Sequence, residues 1–275
     1  MNYFKVELKR ALKEKRILYL IIFLVIMSVL SPMPSFMQKQ IAYWHDTKNI
    51  QLGINPVDVW MDFIGRSRLM TTFIVLFPIL VYSHSIVDDL QYKYINNILL
   101  KVSFKVYYKT KLLVCMILGG SIYFITSILC FGLSCIIYGG KESILYGGHY
   151  TFSLFGNEIV FGNSIIYLIF ISFILFILGS IYAAIGFFIG LYTDNKMLVY
   201  SISVLSLSMY DEIVYLISQL MGSRANSFCN TFSIFSGSGG YNSEKVIIIN
   251  LILFIIILSV MSSKIKKIER NLLNS

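Results

Sequence analysis

The chain has 275 residues, 57% of them hydrophobic and only 13% charged, with a formal net charge of +9. Soluble domains run at roughly 45–50% apolar and ~25% charged, so the surplus excludes an ordinary water-soluble fold, and because the apolar residues come in long blocks one membrane domain is the economical reading. The Lys and Arg residues sit at the ends of those blocks, which points to lipid headgroups and topology and away from nucleic acid.

In chain order, residues 1–16 read as an amphipathic helix. Phe4, Leu8, Ala11 and Leu12 fall on one stripe while Lys5, Lys9, Lys13 and Arg16 take another, the pattern of a helix lying along a membrane surface. The first apolar block, 17–36, follows this basic stretch as a signal peptide would. Ser31-Pro32-Met33-Pro34-Ser35 is a poor small-residue cleavage site and further apolar blocks follow, so the block is read as a retained helix.

Crossing a ~30 Å hydrocarbon layer at ~1.5 Å per residue needs about 20 mostly apolar residues. Six stretches meet that length or come close: 17–36, 69–87, 112–138, 164–192, 197–221 and 246–263. The expected fold class is therefore an all-α integral membrane protein. A six-helix transmembrane domain occupies 17–263, the interfacial helix precedes it, and a basic tail, 264–275, follows.

Between the first two spans, Asn55 to Gly65 reads as a short capped helix, with Asn55 as cap, Pro56 at the first helical position and Asp58 at the positive end. Val57, Trp60, Met61 and Ile64 share one face. Trp60 is the expected interfacial anchor there, with Arg66 and Arg68 near the outer headgroups. His84, near the inner end of the second span, reads as a structural imidazole. The fourth span carries the small-residue stripe Gly179, Ala183, Gly186 and Gly190, a close helix-packing face that serves within one subunit or between two. The segments 139–163 and 222–245 are rich in Gly, Ser, Asn and aromatics without a clear period, and no structure is assigned to them.

Asp211 and Glu212 interrupt the fifth span. From Met197 to Tyr210 is only ~21 Å of helix, too short to cross. Either the acids lie at membrane depth, where ionisable groups are costly and often functional, or the helix ends there and a re-entrant or interfacial piece follows with the acids in water.

Basic residues collect on the cytoplasmic side of a membrane protein. With six spans and both termini inside, the inner segments hold 16 Lys and Arg residues and the outer loops 7. Dropping one helix spoils that split.

No GxxxxGK[ST] loop is present, so an ATPase driving transport would be another polypeptide. His45, His84 and His149 are scattered without HExxH spacing. The cysteines Cys115, Cys130, Cys135 and Cys229 show no CxxC spacing. No catalytic residue and no metal ligand set is expected.

The segment 88–111 carries the most specific pattern. Asp88 and Asp89 end the second span, followed by Ile98-Leu99-Leu100, Ser103, Lys105, Tyr107-Tyr108 and Lys111-Leu112-Leu113 leading into the third. Here the chain resembles the ABC-2-type permeases, the membrane subunits of ABC exporters. In that family an acid after the second span leads into a short coupling helix with a Leu-Leu pair, then a Pro-Val-Ser-Arg-like element and a Lys that opens the third span. The family's usual Gly after the acid and Pro before the Ser are absent here. The resemblance implies that Asp88, Asp89, Leu99, Leu100 and Lys105 meet the ATPase. It also implies two copies of a separate ATPase binding ATP and Mg, no cofactor on this chain, and a second copy of the permease or a sister permease. The cargo would be an amphipathic peptide or hydrophobic compound, the location a bacterial plasma membrane. Two alternatives stay open: an intramembrane enzyme using Asp211 and Glu212 with His84, and an energy-independent channel or scaffold.

Overall fold

The computed structural model describes residues 3–30, 60, 76–138, 150–154, 157–161, 164–206 and 209, with separate positions 252, 255, 256, 259 and 260 in the last apolar block. The 55–65 helix apart from Trp60, together with Arg66, Arg68, Asp211, Glu212, Cys229, the 222–245 segment and the 264–275 tail, lies outside these residues.

Helix α1 spans Tyr3–Leu12 and α2 spans Lys15–Leu30. The chain turns the corner between them at Lys13 and Glu14, whose amides bond back to the carbonyls of Arg10 and Ala11. The expected stripe of α1 faces inward, with Ala11 buried and Phe4 and Leu8 packed against the core, but Leu12 stays exposed and Glu7 takes a fully buried place on the same face. On α2, Leu18, Ile22 and Ile26 recur every four residues on an exposed apolar face.

Residues 76–91 form a bent rod. Helix α3, Leu76–Tyr82, gives way to a turn at Ser83 and His84, then to α4, Ser85–Gln91. Helix-type bonds from Ser83 N to Ile79 O and from Asp88 N to His84 O carry the rod through the bend. Lys93 then takes a left-handed backbone conformation at φ 51° and reverses the chain into the six-residue helix α5, Tyr94–Leu99. Ser103 precedes α6, Phe104–Tyr138, a 35-residue helix.

Helix α7, Ser164–Gly190, packs along α6. These two helices are long and apolar enough to cross a membrane. Their closeness is set by glycines. A Cβ at Gly179 would stand 2.7 Å from the Gly119 carbonyl oxygen and 2.8 Å from the Tyr123 ring. One at Gly186 would stand 2.7 Å from Ile79, and one at Gly190 2.8 Å from Ile86. The small-residue stripe thus packs within the chain, against α6, α3 and α4. Where backbones approach this closely, short hydroxyl side chains bridge them. Ser127 and Ser172 meet at 2.8 Å, Ser180 donates to the Met116 carbonyl at 2.9 Å, and Ser83 donates to the Ala183 carbonyl at 3.1 Å. The opposite faces are apolar and exposed: Leu113, Ile117, Ile125 and Leu129 on α6, Ile165, Ile169 and Phe173 on α7.

Trp60 is placed differently from its expected role as an outer interfacial anchor. It is buried against α6 and α7, edge-on to Phe131 and Tyr167, and its indole N–H donates to the Ser127 carbonyl at 3.1 Å. Burying the large ring among helices while its one donor is satisfied is the more favourable arrangement.

Between α6 and α7 an antiparallel hairpin, β1 (Tyr150–Leu154) and β2 (Asn157–Phe161), pairs Tyr150 with Phe161 and Leu154 with Asn157. The described residues are otherwise helical or turn. After α7, a short non-helical link leads to α8, Lys196–Ser206. Asn195 starts α8, its side-chain oxygen accepting the Met197 N–H at 2.9 Å.

Candidate functional site

At the foot of α3 and α6, four charges meet, three of them enclosed by the fold and the fourth, Arg10, 37% exposed. Glu7 of α1 is 2% exposed, and the side chains of Asp89 on α4 and Lys111 on α6 are 0% exposed. The Asp89 carboxylate accepts from Arg10 Nη2 at 2.8 Å and from the Tyr107 hydroxyl at 2.8 Å, and it pairs directly with Lys111 Nζ. Lys111 also donates to the Ser85 carbonyl at 2.9 Å and faces Glu7 Oε1 at 3.4 Å. The Tyr82 hydroxyl donates to Glu7 Oε1 at 2.6 Å and Tyr3 to Glu7 Oε2 at 3.2 Å. Two carboxylates thus balance two cations, which is what makes such burial tolerable.

Burial alone would raise the Asp89 carboxyl. The Lys111 ammonium and the Arg10 guanidinium overcome it and hold the group below the usual aspartate range. Burial alone would likewise lower the Arg10 guanidinium, and its bond and charge contact with Asp89 raise it instead. The cluster joins α1, α3, α4 and α6 through one set of contacts.

A second cluster flanks it. His84 is buried at the bend, with Arg16 2.7 Å from its Nε2, Glu14 at 3.5 Å and Asp88 at 3.8 Å. An arginine has only donors, so His84 Nε2 accepts, which puts the ring proton on Nδ1. Asp88 pairs with Lys196 at the start of α8, and Gln91 donates to the Asp194 carbonyl just before it.

The expected ATPase-facing residues separate into two groups. Asp89 is wholly internal, and Asp88 is half-buried and engaged with Lys196. Leu99 packs partly against the core, whereas Leu100 is 85% exposed and Lys105 is exposed. Around Leu100 the surface also presents Tyr92, Lys93, Tyr94 and Lys101. Glu7, Arg10, Lys111, Tyr82 and Tyr107 were not among the expected site residues. Glu7 gives the one legible signal, an acid on the apolar stripe of an otherwise basic helix. Among the described residues no group of His, Cys, Asp and Glu could hold a metal.

In comparisons with protein-family models, curated proteins and solved structures, nothing matches this chain. The described residues define a helical protein with two helices able by length and composition to cross a membrane and an ion cluster at the foot of one of them.

Proposed function

We propose that the chain is the permease subunit of an ATP-driven ABC exporter, a six-span protein of the bacterial plasma membrane with both termini in the cytoplasm. It would act with two copies of a separate ATPase and with a second copy of itself or a sister permease. The observation that carries this reading is the contrast within 88–111: Leu100 is 85% exposed at the tip, while Asp89 and Lys111 at the root are 0% exposed and locked to α1. A protruding apolar tip flanked by cations suits docking into a cleft on another protein, since exposed large apolar groups mark interaction sites. A root fixed by buried ion pairs suits transmission of force into α6 as a rigid-body movement. ATP and Mg would bind on the partner, and the cargo would be an amphipathic peptide or hydrophobic compound.

The test is co-purification with the candidate ATPase from detergent, followed by reconstitution. Leu100→Asp, at a position 85% exposed, should leave the permease folded and abolish ATPase co-purification and export. Loss of neither, or labelling that places a cysteine at Lys105 on the cell exterior, overturns the proposal.

A further inference from the structure

The two ion clusters differ in how firmly they are closed. In the first, Asp89 and Lys111 are 0% and Glu7 2% exposed, and Arg10, at 37%, is the member that reaches the surface. In the second, both partners of the pair that ties α4 to α8 are partly exposed, Asp88 at 20% and Lys196 at 29%.

The contacts that dock the foot of α8 converge on the same spot. Besides Asp88 with Lys196 and Gln91 with the Asp194 carbonyl, the Tyr200 ring lies edge-on to His84 at 6.2 Å and its hydroxyl bonds the Arg16 side chain. Elsewhere on α8, Val199 and Ser203 are buried while Met197, Leu198, Ile202 and Leu205 are exposed. One narrow stripe therefore holds the described part of α8 to the body. The link before it contains no helix.

We infer that Asp88, Lys196, Gln91 and Tyr200 form a breakable latch between the 88–111 segment and the foot of α8. The latch opens by separating Lys196 from Asp88 and Tyr200 from His84, while the Glu7, Arg10, Asp89 and Lys111 cluster stays closed. Neighbouring aspartates on α4 thus have opposite duties: Asp89 keeps the segment attached to α1 and α6, and Asp88 lets α8 go. The latch is a property of this chain alone, and only its use in transport rests on the permease reading.

The experiment measures distances between spin labels in the full chain, reconstituted in liposomes without any ATPase and with its own cysteines replaced by serine. One pair sits on Tyr92→Cys and Met197→Cys, across the latch, and a reference pair on Lys9→Cys and Tyr92→Cys, across the closed cluster. Lys196→Glu should lengthen the first distance, raising its far population about fivefold, the reach of a half-exposed ion pair, and leave the reference unchanged. Adding Asp88→Lys should restore the short distance. A first distance that Lys196→Glu does not move overturns the latch, as does lengthening of both pairs together. If the latch behaves as stated but no ATPase partner binds, the permease reading fails and the latch stands.

Discussion

Asp89 and Lys111 lie on separate helices and meet as a direct ion pair with both side chains sealed from solvent. Removing one partner leaves an uncompensated charge in the interior, which costs ~3–5 kcal/mol, whereas removing both together is far milder. Asp89→Asn and Lys111→Met should each lower the melting temperature of the detergent-solubilised protein sharply. The double variant should recover much of the loss, and a double-mutant cycle by scanning fluorimetry measures the coupling.

The same pair sets an acid limit. Because the folded-state Asp89 value is depressed, its stabilisation is complete above the ordinary aspartate value of ~3.9 and is lost as pH falls through the lower folded value. Melting curves of the native chain and of Asp89→Asn should therefore converge only below about pH 4. Convergence at neutral pH would mean that Asp89 carries no charge in the folded protein.

Glycines on α6 and α7 should respond in opposite directions to one methyl group. At Gly179 the added Cβ would press on the Gly119 carbonyl oxygen and the Tyr123 ring, while at Gly132 it would meet nothing within 4 Å. Gly179→Ala should cost ~1–3 kcal/mol through overpacking. Gly132→Ala should gain up to ~1 kcal/mol from helix propensity. Thermal unfolding followed by size-exclusion chromatography distinguishes them.

Lys93 holds a left-handed backbone that only glycine adopts freely. Lys93→Gly should stabilise the turn between α4 and α5 by roughly 0.5–1 kcal/mol, the left-handed strain less the entropy glycine brings. Slower hydrogen exchange at the Lys93 and Asn96 amides, which bond to the Leu90 and Lys93 carbonyls on either side of this turn, is the readout.

Trp60→Phe keeps most of the ring contact with Phe131 and Tyr167 and loses only the bond to Ser127, about 1 kcal/mol. Trp60→Ala should cost ~3–5 kcal/mol by leaving a cavity. An interfacial anchor would show no such gap between the two variants in detergent melts.

Much of this architecture is legible in the residues. The long apolar runs announce α6 and α7 directly, and the apolar stripe of α1 finds its face. The stripe from Gly179 to Gly190 reads as close packing, though only the fold decides between packing within the chain and between copies. The β1–β2 hairpin falls in 139–163, to which the sequence assigns no structure: five alternating residues, Tyr150-Thr151-Phe152-Ser153-Leu154, are too short a run to stand out from the surrounding Gly and Ser. The ion clusters are another matter. Glu7, Arg10, Asp89 and Lys111 come from three segments, and no local pattern tells a sealed lysine from the solvated ones that flank a span. Trp60 fails for a related reason: an indole suits a headgroup layer and a helix crevice equally well until its neighbours are known.

At 35 residues, α6 is about 52 Å long, well beyond the ~30 Å hydrocarbon slab. Such a rod behaves as a lever: a tilt of roughly 5° about its midpoint carries each tip some 2 Å, in opposite directions. A small nudge at Phe104 would thus be felt, reversed in sense, near Tyr138, on the approach to the hairpin at the far side.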